Sequence, residues 1–175
     1  MLRPIALAAT TALVASCAAA PRAAIPVLAR ASLVAADGTP AGTATITAPR
    51  GGAPVLVLTV SNIPLGAHGL HLHAVGKCEA PGFTTAGGHL NPTGHEHGTL
   101  NPRGSHLGDV PNLTVGGDGL GTLEHRFRVS AAELHASLFD ADGSAIVIHA
   151  GADDYRSDPA GNSGGRIACG VLTRG

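Results

Sequence analysis

With 25 glycines and 12 prolines among 175 residues, this chain is interrupted too often to build long helices. Glycine gives up the most backbone entropy in a helix, and proline removes a backbone donor. Between the interruptions lie short runs rich in β-branched and apolar residues. From Val27 onward no apolar stripe recurs at helical spacing. The runs are Val27–Ala36, Thr43–Ala48, Val55–Ser61, Gly69–Val75, Leu120–Val129, Ala145–Ala150 and Arg166–Leu172. They end at turn signals such as Asp37-Gly38-Thr39-Pro40 and Pro49-Arg50-Gly51-Gly52. In Leu120–Val129, Leu123, His125, Phe127 and Val129 share one face, and Glu124, Arg126 and Arg128 share the other. An eighth strand is expected near Asp109–Val115. Short strands at this spacing predict an all-β, antiparallel sandwich or barrel. Residues 131–139 admit a helical turn. Two stretches, Gly76–Gly108 and Gly151–Gly165, are too long for hairpins. Loops of more than about 12–15 residues inside a compact domain usually carry function.

Charged residues make up 13% of the chain and aromatics 2%, with a net charge of -1. A nucleic-acid binder shows a basic stripe and stacking aromatics, so no nucleic-acid partner is expected. The 44% hydrophobic content argues against a disordered chain.

The leader carries one charge, Arg3, ahead of an Ala-rich apolar run, which is the pattern of a secretory signal. Val14-Ala15-Ser16-Cys17 resembles the cleavage box of bacterial lipoproteins. This reading makes residues 1–16 a signal peptide, Cys17 the lipidated first residue, 17–26 a tether and 27–175 the folded domain. Several acyl chains on Cys17 would hold the protein stably at a membrane. Cleavage among Ala18 to Ala20, discarding Cys17, is the alternative. Either way the chain is expected in the periplasm or cell envelope. Of its three cysteines, Cys78 and Cys169 then remain, and an oxidising compartment predicts that they pair. Two free buried thiols are the other outcome.

Seven of the ten histidines fall between His68 and Asp109. His71 and His73 lie two apart on a predicted strand, so their rings share a face and make half a transition-metal site. His89, His97, His106 and Asp109 follow along a loop with little apolar content to fix its shape. A metal bound through those four would fix it. Three imidazoles and a carboxylate suit zinc, and an all-imidazole set suits copper. His149 ends an apolar strand, where an imidazole is costly to bury unless its nitrogens are bonded. The His-x-His-x-Asp-His run of mononuclear zinc hydrolases fails, because Ala74 and Val75 follow His73.

Six motifs in order carry a resemblance. They are His68-Gly69-Leu70-His71-Leu72-His73, Gly87-Gly88-His89-Leu90-Asn91-Pro92, His97-Gly98 and His106-Leu107-Gly108-Asp109. To these are added Ile148-His149-Ala150-Gly151-Ala152-Asp153-Asp154 and Gly161-Asn162-Ser163-Gly164-Gly165-Arg166-Ile167-Ala168-Cys169-Gly170-Val171. Together they resemble the copper/zinc superoxide dismutases, in a bacterial exported form, over about Val27 to Leu172.

The resemblance implies an eight-stranded antiparallel Greek-key β-barrel with two long functional loops. It implies one copper and one zinc per subunit. Copper falls to His71, His73, His89 and His149, and zinc to His89, His97, His106 and Asp109, with His89 shared as a bridging imidazolate. Arg166 is implied beside the copper, attracting superoxide, and Cys78–Cys169 as a disulfide. Asp153 is implied as the carboxylate that links a copper-bound and a zinc-bound ring. His68, His95, Glu96, His125 and His135 fall outside the ligand set, as structural or solvated residues. The implied reaction converts superoxide to dioxygen and hydrogen peroxide. The family is often dimeric, so a homodimer is an expectation without a located contact. A non-catalytic copper- and zinc-binding envelope protein is the alternative function. One departure stands out. After Asp154 the chain reads Tyr155-Arg156-Ser157-Asp158-Pro159-Ala160, where animal members carry a longer charged loop.

Overall fold

Alternation along the sequence becomes alternation in burial. In strand β1 (Val27–Ala35), Ala29, Ala31 and Leu33 are buried while Arg30, Ser32 and Val34 face out. In β3 (Val55–Val60), Leu56, Leu58 and Val60 point in, and Val57 and Thr59 point out. The computed structural model describes residues 24–175, so the leader and Cys17 lie outside the described residues. The remaining elements are β2 (Pro40–Thr47), β4 (Gly66–His73), β5 (Asp109–Val115), β6 (Gly121–Arg126), helix α1 (Ala131–Leu138), β7 (Ala145–His149), β8 (Arg166–Val171) and the two-residue β9 (Thr173–Arg174).

The sheet runs β2-β3-β6-β5-β4-β7-β8-β1, and β1 also pairs with β2, so eight antiparallel strands close into a barrel. The chain passes from β3 to β4 across β6 and β5, and from β6 to β7 across β5 and β4. Each passage places a strand beside a three-strand meander in Greek-key order. The barrel interior is filled by Leu33, Ile46, Leu56, Leu58, Leu70, Leu72, Leu113, Ile146 and Ile148. Helix α1 closes it with Leu134 and Leu138. Its start is a capping box: the Ser130 hydroxyl accepts from Glu133 N–H, and the Glu133 carboxylate accepts from Ser130 N–H.

Element positions differ from the sequence expectation mainly at their ends. The expected strand Leu120–Val129 stops at Arg126. Phe127 turns inward, its N–H donating to Pro54 O and its ring joining the core. The expected helical turn is the eight-residue helix α1. Strand β2 starts at Pro40 rather than Thr43.

Strands β4 and β7 break the alternation. All five residues of β7 are buried, as are the last six of β4. Their inward residues, Leu70, Leu72, Ile146 and Ile148, fill the barrel. Their outward residues, His71, His73, Ala145, Val147 and His149, are covered from outside by the two long loops. Phe83, Ala86, Val147 and Cys169 form a second apolar cluster under the first loop. The Cys78–Cys169 disulfide pins that loop to β8, closing a separation of 91 residues.

Candidate metal centre

Adjacent strands set the first part of the site. His71 pairs with Asp109 of β5 on one side and with Val147 of β7 on the other, so all three lie in one row on the outer face. His73 lies two residues along the same strand. His149 ends β7 and pairs with Arg166 at the start of β8. The first loop then folds back over this face: Ala74 N–H donates to Gly88 O, and Leu90 N–H to Leu72 O. That return places the ring of His89 3.9 Å from the ring of His71, centroid to centroid.

The rings converge in two groups that share His89. One holds His71, His73, His89 and His149, with donor atoms within 4.8 Å of one another. In this group His71 Nδ1, His73 Nε2, His89 Nε2 and His149 Nε2 are buried and have no hydrogen-bond partner. Four orphaned ring nitrogens in one place are a steep cost unless something binds them. Their other nitrogens are all engaged, that of His89 by Asp109 in the second group. His71 Nε2 donates to Asp153 Oδ2 at 2.8 Å, His73 Nδ1 to Gly87 O at 2.9 Å and His149 Nδ1 to Gly164 O at 3.1 Å. Each bond fixes the tautomer that leaves a lone pair facing the cluster.

In the second group Asp109 Oδ1 lies 3.1 Å from His89 Nδ1, 3.0 Å from His97 Nδ1 and 3.3 Å from His106 Nδ1. His106 Nδ1 and His89 Nδ1 are 3.3 Å apart. Ligand atoms about 2.0–2.1 Å from one tetrahedral zinc stand about 3.3 Å from one another. The donors of His71, His89, His97 and Asp109 also approach within 4.8 Å. His71 nevertheless belongs to the first group, because its outer nitrogen is held by Asp153 and its inner one faces the other orphaned nitrogens.

The electrostatics suit metal ions. Burial drives His71 and His149 down to about 4, against partial support from Asp153 for His71 and from Gly164 O for His149. Burial pushes His73 further still. These rings are neutral at pH 7. Burial opposes the charge on Asp109 and Asp153, but hydrogen bonds from His89 and His97 to Asp109, and from His71 and His97 to Asp153, outweigh it. Both carboxyls lie well below the usual carboxylate range. Burial also works against a charged His97, yet its place between Asp109 and Asp153 raises it to about 9.

Residues 40–172 match the sequence model of the family described as copper/zinc superoxide dismutase (SODC). The chain belongs to the copper/zinc superoxide dismutase family. Its relatives include superoxide dismutase [Cu-Zn] 1 of Aquifex aeolicus, 46% identical over 121 residues that cover 67% of this chain and 72% of that one. The superoxide dismutase [Cu-Zn] of Caulobacter vibrioides is 40% identical over 143 residues, covering 79% and 81%. The crystal structure of a SOD-like protein from Bacillus subtilis superposes with a TM-score of 0.76 at 37% identity, covering 82% of this chain and 97% of that one. The dismutase therefore acts on superoxide with copper and zinc, and its donor set fits both. The orphaned imidazole nitrogens match copper's preference for imidazole, and the compact three-imidazole, one-carboxylate group matches zinc.

Arg166 stands at the edge of the first group. Its Nη1 donates to Phe83 O and its Nη2 to Gly87 O, each at 2.6 Å. Gly87 O thus accepts from both Arg166 and His73, so the guanidinium and a ring of the first group share one anchor. Gly87 has a φ of 73°, a conformation that glycine adopts without strain. Asp153 joins the two groups, with Oδ2 on His71 Nε2 and Oδ1 on His97 Nε2.

The residues set outside the ligand groups behave accordingly. His68 places Nδ1 and Nε2 each 2.8 Å from a carbonyl oxygen, those of His149 and Pro64. His95 is exposed, Glu96 pairs with Arg103, His125 packs on Phe127 and His135 on Phe139. Sequence reasoning missed Asn112. Its amide brackets Asp153, with Oδ1 accepting from Asp153 N–H at 2.8 Å and Nδ2 donating to Asp153 O at 2.9 Å. An irregularity in the β4–β5 register between His68 and Leu70 falls opposite Asn112. Pro111 beside it was the one local signal of that break. It gave Gly161 a place in a motif but no role, and there an added Cβ would collide with the Asp153 carboxylate.

Proposed function

We propose that the dismutase holds copper through His71 Nδ1, His73 Nε2, His89 Nε2 and His149 Nε2. Zinc is held through the Nδ1 atoms of His89, His97 and His106 and through Asp109 Oδ1. The observation that carries this reading is the set of four buried, unpartnered ring nitrogens in one cluster. His89 alone contributes to both groups, so its ring would be shared between the two ions as an imidazolate. Bound copper supplies the one-electron couple that oxidises one superoxide to dioxygen and reduces a second to peroxide, and bound zinc, without redox chemistry, supplies fixed charge.

The chain's own residues do the rest. Arg166, held rigid by two carbonyls, offers a permanent positive charge where a small anion docks. His89 Nε2, whenever it is not held by copper, would carry one of the two protons that peroxide needs, and water would supply the other. Asp153 keeps the rings of His71 and His97 oriented throughout. The Ala-rich leader and the Val14-Ala15-Ser16-Cys17 box support export and lipidation at Cys17, which puts the activity against superoxide in the cell envelope.

The test is elemental analysis of the mature protein alongside a cyanide-sensitive assay of superoxide loss. One copper and one zinc per chain with activity that cyanide abolishes is the expected result. Full metal occupancy without that activity would identify a metal-binding envelope protein instead. For the anchor, Cys17→Ser should move the protein from the membrane to the soluble fraction.

A further inference from the structure

The outer nitrogens of the ligand rings are nearly all accounted for. His71 and His97 donate to Asp153, His73 to Gly87 O and His149 to Gly164 O, and His89 turns both nitrogens to the metal groups. His106 is the exception. Its Nδ1 faces Asp109 and His89, so zinc held at Nδ1 would leave the ring's proton on Nε2, where no hydrogen bond is found. The group facing that proton is a carboxylate, with Asp158 Oδ1 at 4.0 Å from His106 Nε2.

Asp158 is held close to this ring by the fold. The same Oδ1 accepts from His97 N–H at 2.6 Å, so one oxygen addresses two consecutive members of the second group. The loop that carries it is braced from within. The Asp154 carboxylate accepts from Arg156 N–H, from the Ser157 N–H and hydroxyl, and from Asn162 Nδ2. The loop is also tied to the first long loop, with Leu100 N–H donating to Tyr155 O at 3.0 Å and Arg156 Nη1 to Leu100 O at 3.3 Å. Glu96, the other acid nearby, is engaged by Arg103 and Asn101. The Asp158 side chain is 49% exposed, which leaves it free to turn the remaining ångström toward His106.

We propose that Asp158 is a positioning residue of the zinc site, accepting the His106 Nε2–H when zinc draws that ring in. It rests on the assignment of His106 to zinc. A carboxylate on the outer N–H selects the tautomer that leaves Nδ1 free and makes the ring a stronger donor. The shortened segment Tyr155–Ala160 thus supplies the zinc site with an anion.

The test measures zinc affinity of the apo-protein by chelator competition, together with the His106 Nε2–H resonance of the zinc-loaded protein. Asp158→Asn keeps an oxygen for His97 N–H but loses the charge. It should weaken zinc binding by about 10–100-fold and shift the His106 proton upfield, with Asp158→Glu recovering part of both. If Asp158→Asn matches the parent in affinity and resonance, the proposal is wrong. If only Asp158→Ala weakens binding, Asp158 serves the His97 backbone and the proposal is equally wrong. His106→Ala separates the underlying assignment: zinc affinity indifferent to that change would refute His106 as a ligand.

Discussion

Arg166 is anchored by two carbonyl oxygens rather than by a carboxylate, so its charge is not cancelled by its supports. That choice suits a residue that must attract an anion. Arg166→Ala should leave copper and zinc content intact, lower the rate about tenfold or more, and flatten its dependence on salt. Steering of this kind is worth about 10–10³ in encounter rate, and superoxide dismutase is itself a known case of it. A fall in copper content equal to the fall in rate would show that Arg166 acts on metal binding. His97 carries a second consequence at this scale. With its pKa raised to about 9, the ring is protonated in the metal-free protein at pH 7, and zinc must displace that proton. His71 and His149, at about 4, are already neutral and release none. Zinc affinity should therefore rise about tenfold per pH unit between pH 7 and 9. Calorimetry in buffers of different ionisation heat should find about one proton released per zinc at pH 7. An affinity flat across that range would contradict it.

Among the elements, the strands were legible because one side of each faces the core and alternation records it. The strand expected near Asp109–Val115 is β5. Strands β4 and β7 were legible for a different reason. They carry histidines on the outward side, and period-2 spacing puts His71 and His73 together. What alternation could not show is that this outward side is buried, because the cover comes from loops distant in sequence. The first long loop has only the turn Thr84–Ala86 as regular structure, and its apolar hold is the small cluster under Phe83 with Leu90 and Leu107, which pack on the barrel core. Metal ligation must supply much of its order. His106→Ala should release zinc and cut hydrogen-exchange protection across Gly76–Gly108 while protection in β3 and β6 persists. Unchanged protection in the loop would mean that the disulfide and Phe83 suffice to hold it.

At the scale of the whole molecule, barrel and loop are joined by Cys78–Cys169, and cysteine arithmetic had already paired these two. On the chain-entropy account a loop of this size is worth roughly 4–5 kcal/mol. The disulfide also steadies the segment whose carbonyls, Phe83 O and Gly87 O, hold Arg166. A Cys78→Ser, Cys169→Ser double variant should lose about that much stability in urea titration. Its activity per bound copper should fall as well, and an unchanged value would separate the disulfide from Arg166. The sequence by itself determined the strand pattern, the two long loops, the donor residues and the cysteine pair, because periodicity and residue chemistry are local properties. Only the tertiary structure decided which nitrogen of each ring faces inward, that Asn112 and Gly161 shape the seat of Asp153, and that Asp158 lies beside His106. Those facts depend on backbone groups and loop crossings far apart in the chain, and no spacing rule encodes where a carbonyl or a missing Cβ comes to rest.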